Sequence, residues 1–231
     1  MLVQVSELRF TTPQGQTVLE DVHLRVEHGE WVCVVGPPSS GKSLLLKLLV
    51  RECEPQRGQI LVDDKNITRL RRDRLGELRR RLGIVPQAPK PLQRTAFESL
   101  IFKLRTLGFS PDESEERAEK ILELLQLENG ADDDRLIGEL DAPEQKLCFL
   151  ALAVCHDPVL LLFDEPFEGL SEEGAERVLD GLTRLYQSKR LAILMVTRSH
   201  SWAQKSQARL VYLYDGRAHD SPPPHKSPGG L

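Results

Sequence analysis

The chain has 231 residues, with 31 Lys and Arg against 35 Asp and Glu and a formal net charge of -4. That length accommodates one α/β domain with a sizeable core, and the acidic balance argues against broad electrostatic binding to nucleic acid. No apolar stretch approaches the ~20 residues needed to cross a bilayer, and Met1-Leu2-Val3-Gln4-Val5-Ser6 lacks the regions of a signal peptide.

In chain order, residues near 2–10 and 17–35 read as strands, with Val18, Val22, Leu24 and Val26 alternating with polar neighbours and Gly29-Glu30 as a turn. The apolar run Trp31-Val32-Cys33-Val34-Val35 leads into Gly36-Pro37-Pro38-Ser39-Ser40-Gly41-Lys42-Ser43, which fits the phosphate-binding P-loop pattern. Leu44-Leu45-Leu46 then opens a helix expected to run to about Cys53. The chemistry suits a polyphosphate. Amides at a helix N-terminus point partial positive charge at an anion, and glycine admits close backbone approach. Lys42 reaches the β- and γ-phosphates, and Ser43 places its hydroxyl on Mg²⁺. Pro38 removes one amide from the loop.

Gly58 to Val62 reads as a strand, Arg69 to Arg81 as a basic helix with a solvated face, and Gly83 to Gln87 as a short strand. Thr95 to Leu107 and Asp112 to Leu127 carry helical spacing, with Ser110-Pro111 opening the second helix. Asp132-Asp133-Asp134 lacks calcium-loop spacing and reads as a polar turn. Leu160-Leu161-Leu162-Phe163 then ends in Asp164-Glu165, a buried parallel strand delivering two carboxylates to the edge where ligands bind. Asp164 suits Mg²⁺, and Glu165 suits polarising an attacking water. A helix from Ser171 to about Ser188 and strands at Leu191–Val196 and Leu210–Tyr214 follow. The cysteines Cys33, Cys53, Cys148 and Cys155 have no metal-ligand spacing and read as reduced core thiols. Pro222-Pro223-Pro224 to Leu231 reads as a disordered tail.

In this order, the landmarks resemble the nucleotide-binding subunit of ATP-binding-cassette (ABC) transporters over about Leu2 to Gly216. Asn66-Ile67-Thr68-Arg69-Leu70, Leu78 to Gln87 and Arg94 to Ser99 resemble the branch holding the cell-division, lipoprotein-release and macrolide-export ATPases. The resemblance implies a P-loop NTPase: a mixed or parallel core sheet, an N-terminal antiparallel β-subdomain and a helical subdomain inserted at about 88–157. Residues 1–219 would form a single ATP-binding domain and 220–231 a tail. It also implies head-to-tail dimers, homo- or heterodimeric, with each ATP held between one P-loop and the other subunit's signature loop. Membrane permease-like partners would dock at about Ala88 to Gly108, placing the chain on the cytoplasmic face of the membrane, with no nucleic-acid role. Gln87 matches the glutamine that joins the Mg²⁺ and water site to the helical subdomain, which implies a place for it beside Ser43 and Asp164 on Mg²⁺, partly through water, and beside Lys42 and Glu165 among the catalytic residues. Thr12 aligns with the residue that stacks on adenine, with Phe10 as a substitute.

The departures from the family pattern fall on the other half of the site. The signature loop reads Leu140-Asp141-Ala142-Pro143-Glu144 instead of Leu-Ser-Gly-Gly-Gln/Glu, with Gln145 keeping its place. Ionised Asp141 cannot donate to a phosphate, and Pro143 has no N–H. Arg198 stands where the family has its switch histidine, with His200 two residues on, and Ser171 replaces an aspartate. ATP binding is therefore expected to survive and hydrolysis to be weak without a partner. The alternative is a regulatory module that binds ATP with little turnover.

Overall fold

A computed structural model describes residues 1–90, 92–127, 134–189 and 191–224. Strands β1 (Val3–Thr11), β2 (Thr17–Val26), β4 (Arg57–Val62) and β5 (Lys65–Asn66) form an antiparallel sheet in the order β2-β1-β4-β5. A second, six-stranded sheet has the order β10-β9-β3-β8-β7-β6. Its members are β3 (Trp31–Val35), β6 (Leu82–Val85), β7 (Leu160–Asp164), β8 (Ala192–Thr197), β9 (Arg209–Tyr214) and β10 (Arg217–His219). All its pairings are parallel except β9 with β10, so the sheet is mixed, one of the two forms that the family resemblance implies.

The central strands β3, β7 and β8 are buried along their whole length, which is why they read as continuous apolar runs. Period-2 alternation divides their side chains between two cores. Cys33, Leu161, Phe163, Ile193 and Met195 face one core, which contains residues of α3 (Ala96–Leu107), α4 (Pro111–Leu124), α5 (Ala142–Val154) and α6 (Glu172–Ser188). Val32, Val34, Leu160, Leu162, Leu194 and Val196 face the other, built with α1 (Lys42–Leu49) and the antiparallel sheet. Cys33, Cys148 and Cys155 are buried free thiols, and Cys53 is partly exposed.

Several boundaries differ from the sequence reading. The P-loop helix ends at Leu49, short of Cys53. The basic segment splits into a 3₁₀ turn (Ile67–Arg69) and α2 (Arg72–Arg79). At the start of β2 the buried residue is Leu19, with Val18 only partly buried, while Val22, Leu24 and Val26 are buried as expected. Asp21 adopts φ 58°, and the register with β1 shifts there, so the period-2 pattern slips by one. Helix α7 (His200–Lys205), β5 and β10 are too short to carry a periodic signal. Asp132, Asp133 and the tail from 225 onward lie outside the described residues. No helix among the described residues is long and apolar enough to cross a membrane.

Between α5 and β7, His156 is held at a pKa of about 4, chiefly by burial, with Lys103 adding to the shift. The unfolded chain therefore binds an extra proton between about pH 6.5 and 4, and stability rises with pH across that window. We expect the urea midpoint of the protein to fall from pH 7 to pH 4.5. His156→Gln should flatten that part of the profile, and an unchanged slope in the variant would remove His156 as its source.

Candidate functional site

Parallel register decides which residues meet. Val35 lies opposite Thr197, and Asp164 opposite Val196, so the segments after β3, β7 and β8 emerge together at one sheet edge. These segments carry the P-loop, Glu165 and Arg198. Glu165 turns off β7 with φ 48°, a left-handed conformation uncommon outside glycine, and its amide donates to the Val196 carbonyl at 2.9 Å.

The P-loop depends on its glycines. A Cβ on Gly36 would stand 2.3 Å from the Leu213 carbonyl oxygen. Gly41, the N-cap of α1, adopts φ 99°, and its Cβ would meet Leu19 at 2.6 Å. Among the described residues, no carbonyl pairs with the amides of Gly41, Lys42, Ser43 or Leu44. The Ser40 hydroxyl is likewise buried without a partner among them. Unpaired donors at the start of a helix form an anion cradle. Pro37, Pro38 and Ser39 form its exposed rim.

Lys42 is 5% exposed. Its Nζ donates to the carbonyls of Gly36 at 2.8 Å and Pro37 at 2.9 Å and lies 3.8 Å from Glu165 Oε1. Burial pulls this ammonium below its ordinary pKa, while Glu165 pulls it back up. The Ser43 hydroxyl donates to Asp164 Oδ1 at 3.0 Å. Burial raises the Asp164 carboxyl despite that hydrogen bond. A hydroxyl and a carboxylate set side by side fit a hard divalent cation, which takes oxygen ligands.

Glu165, also buried, is held from two sides. Its Oε2 accepts the Arg198 amide at 3.0 Å, and its Oε1 lies 3.6 Å from Arg198 Nε. Arg198 is therefore the residue after β8 that contacts Glu165. His200 instead opens α7 with its ring 5.7 Å from Tyr212, so the two-residue shift that would bring it into the switch role is not made.

Gln87 is exposed, and its side chain does not pair with Ser43 or Asp164; its amide donates to Glu168. The Gln87 carbonyl accepts from Lys146 Nζ at 3.4 Å, and the same ammonium donates to the Glu165 carbonyl at 3.2 Å. Burial lowers the pKa of Lys146. Lys146 and Glu168 belong to the site and escaped the sequence reading. Lys146 lies in the second turn of α5, and no sequence spacing singles it out.

The N-terminus of α5 is filled by its own chain. Asp141 is the N-cap, and its Oδ1 accepts the Glu144 amide at 2.8 Å. Arg177 pairs with its other oxygen at 3.4 Å. The Pro143 ring packs against Gly174, whose Cβ would come within 2.5 Å of it. Ser171 caps α6, accepting the Gly174 amide at 3.1 Å. Of the two residues considered for adenine, Thr12 closes the β1–β2 turn, donating its amide to the Gln16 carbonyl and accepting the Gln16 amide on its hydroxyl. Phe10 packs, partly buried, on the core beneath the antiparallel sheet.

Known proteins share the sequence pattern and the fold of this chain. The ABC transporter family model matches residues 19–168. The cell division ATP-binding protein FtsE of Mycobacterium tuberculosis is 31% identical over 204 residues, 88% of this chain and 87% of that protein. FtsE of Bacillus subtilis is 27% identical over 216 residues, covering 93% of each. Among solved structures, the dimeric post-hydrolysis state of the ATP-binding cassette MJ0796 bound to ADP and Pi superposes with a TM-score of 0.81. It is 26% identical and covers 94% of this chain and 96% of that one.

Proposed function

Since the chain belongs to the ABC transporter ATP-binding family, we propose that it binds Mg²⁺-ATP at this sheet edge and passes the resulting motion to a membrane partner. The observation that carries this reading is the convergence of unpaired P-loop amides, Lys42, the Ser43–Asp164 pair and Glu165 at one sheet edge.

Each residue then has a defined task. The P-loop amides and Lys42 hold the β- and γ-phosphates and offset their charge. Ser43 and Asp164 would hold Mg²⁺, which would supply further charge neutralisation to the bound polyphosphate. Glu165 would accept a proton from the water that attacks the γ-phosphorus, as the bond from that phosphorus to the β,γ-bridging oxygen breaks and ADP leaves. Phe10 or Thr12 flanks the base, and Gln87 reports the state of the site to the helical subdomain at about 88–157.

Two subunits would pair head to tail, as a homodimer or with a related cassette. The membrane partner would sit in the groove of about 370 Å³ lined by Leu92, Arg94, Ser99, Phe102, Lys103 and Leu152. Phe102 is 58% exposed there, with the Arg94 guanidinium over its ring at 4.2 Å. Docking on a permease-like subunit keeps the chain peripheral on the cytoplasmic face.

Turnover by the chain alone should be slow. Asp141 closes the helix end that would face a neighbouring nucleotide, and both oxygens of Glu165 are engaged by donors. These contacts also favour a second reading, in which ATP acts as a conformational ligand with almost no hydrolysis. The test is Mg²⁺-ATP binding and turnover by the wild type beside Glu165→Gln. We expect equal binding, with slow turnover in the wild type that drops roughly 100-fold or more in the variant, as for loss of a general base. Turnover of a hundred molecules per minute or more would refute the impairment, and absence of ATP binding would refute the site.

A further inference from the structure

Glu168 lies three residues beyond Glu165, in the turn between β7 and α6. Its Oε1 pairs with the Arg198 guanidinium and its Oε2 accepts from the Gln87 side-chain amide. Arg198 continues to Glu165, and Glu165 to Lys42. A line of alternating charge therefore runs from the P-loop lysine to the loop after β6. The cleft beside it, about 460 Å³, is lined by Pro38, Glu165, Phe167, Glu168, Thr197 and Arg198.

Arg198 and Gln87 are donors of the kind that phosphate oxygens accept, and a guanidinium takes two oxygens of a carboxylate or of a phosphate in the same way. We infer that Glu168 is an internal competitor for the terminal phosphate, holding Arg198 and Gln87 until a triphosphate displaces it. The inference rests on the ATP reading above. A diphosphate in the P-loop ends at the β-phosphate, one group short of the third phosphate beyond Lys42, and leaves the Glu168 contacts in place. A triphosphate exchanges one anionic partner of Arg198 for another, so little is gained. Glu168 also puts like charge beside the phosphate. In the native chain, Glu168 therefore holds the preference for ATP over ADP low.

The test measures equilibrium binding of Mg²⁺-ADP and of the non-hydrolysable β,γ-imido analogue of ATP to the wild type, Glu168→Gln, Arg198→Gln and the double variant. Glu168→Gln keeps the side-chain shape and removes the charge. It should tighten the triphosphate analogue about tenfold, the worth of one freed charge-assisted contact, and move ADP less than about twofold. In the double variant that gain should vanish, which a merely structural role of Glu168 would not produce. Equal tightening of both nucleotides, no tightening, or a gain that survives loss of Arg198 overturns the inference while leaving the ATP site standing. Failure of every form to bind either nucleotide overturns the ATP reading itself and the inference with it.

Discussion

Lys42→Ala is expected to weaken Mg²⁺-ATP binding by at least about 100-fold, from the cost of removing one member of a buried charge pair. The lysine is buried under the loop, and its three donors are already directed at the Gly36 and Pro37 carbonyls and toward Glu165. Burial makes its charge costly. An incoming polyphosphate relieves that cost, because the ammonium gains an anionic partner in a place where water screens little. The P-loop amides alone supply partial charges of about half an elementary unit. Lys42→Arg should fail nearly as badly, because a planar guanidinium cannot replace a compact ammonium that is 5% exposed and bonded to two carbonyls. Isothermal titration of ATP into wild type and both variants, with thermal unfolding as a check on the fold, decides the matter. Less than a threefold loss in Lys42→Ala would mean that the nucleotide is held elsewhere.

How much of this was visible in the sequence depends on how local each determinant is. The central strands β3, β7 and β8 are buried on both faces, so Trp31–Val35, Leu160–Phe163 and Leu191–Val196 announce themselves as apolar runs. Helix α4 is announced by Ser110, Pro111 and Glu113, a capping box with proline at its first turn. The P-loop, Asp164 and Glu165 are legible because each belongs to a pattern of fixed residue types at fixed spacing. Lys146 and Glu168 were not, because their roles come from long-range pairing. Lys146 is 59 residues from Gln87, and Arg198 is 30 from Glu168. No periodicity encodes such a contact. The slip at Asp21 was hidden for a related reason: a bulge is a backbone event, and an aspartate tolerates positive φ without announcing it. Asp141 shows the converse. The sequence exposes the missing serine donor, while the structure adds that the aspartate caps its own helix and is paired with Arg177.

That self-capping leads to the second large effect. The double variant Asp141→Ser with Pro143→Gly should raise ATP turnover of the chain alone by about tenfold or more, less than the ~100- to 1,000-fold that a single optimally placed oxyanion donor supplies. Serine caps a helix about as well as aspartate, so the start of α5 should survive. The exposed Arg177 pair contributes at most about 1 kcal/mol. Glycine restores the amide that proline lacks and leaves Gly174 a looser neighbour, at about 1 kcal/mol of helix stability. What changes is the electrostatic character of the helix end. In the native chain the Asp141 carboxylate occupies the Glu144 amide and presents negative charge where a second subunit's phosphate would come. With serine, the same end offers a hydroxyl and free amides to an anion. Arg198 still grips Glu165, so the repaired chain should stay below full activity, and Arg198→His added to the double variant should raise it further. A rise that scales with the square of protein concentration would show that the repaired loop acts across a dimer of this chain. If turnover stays flat while ATP binding is intact, the block lies at Glu165 and not at the signature loop, and a partner cassette with a serine signature would not rescue it either.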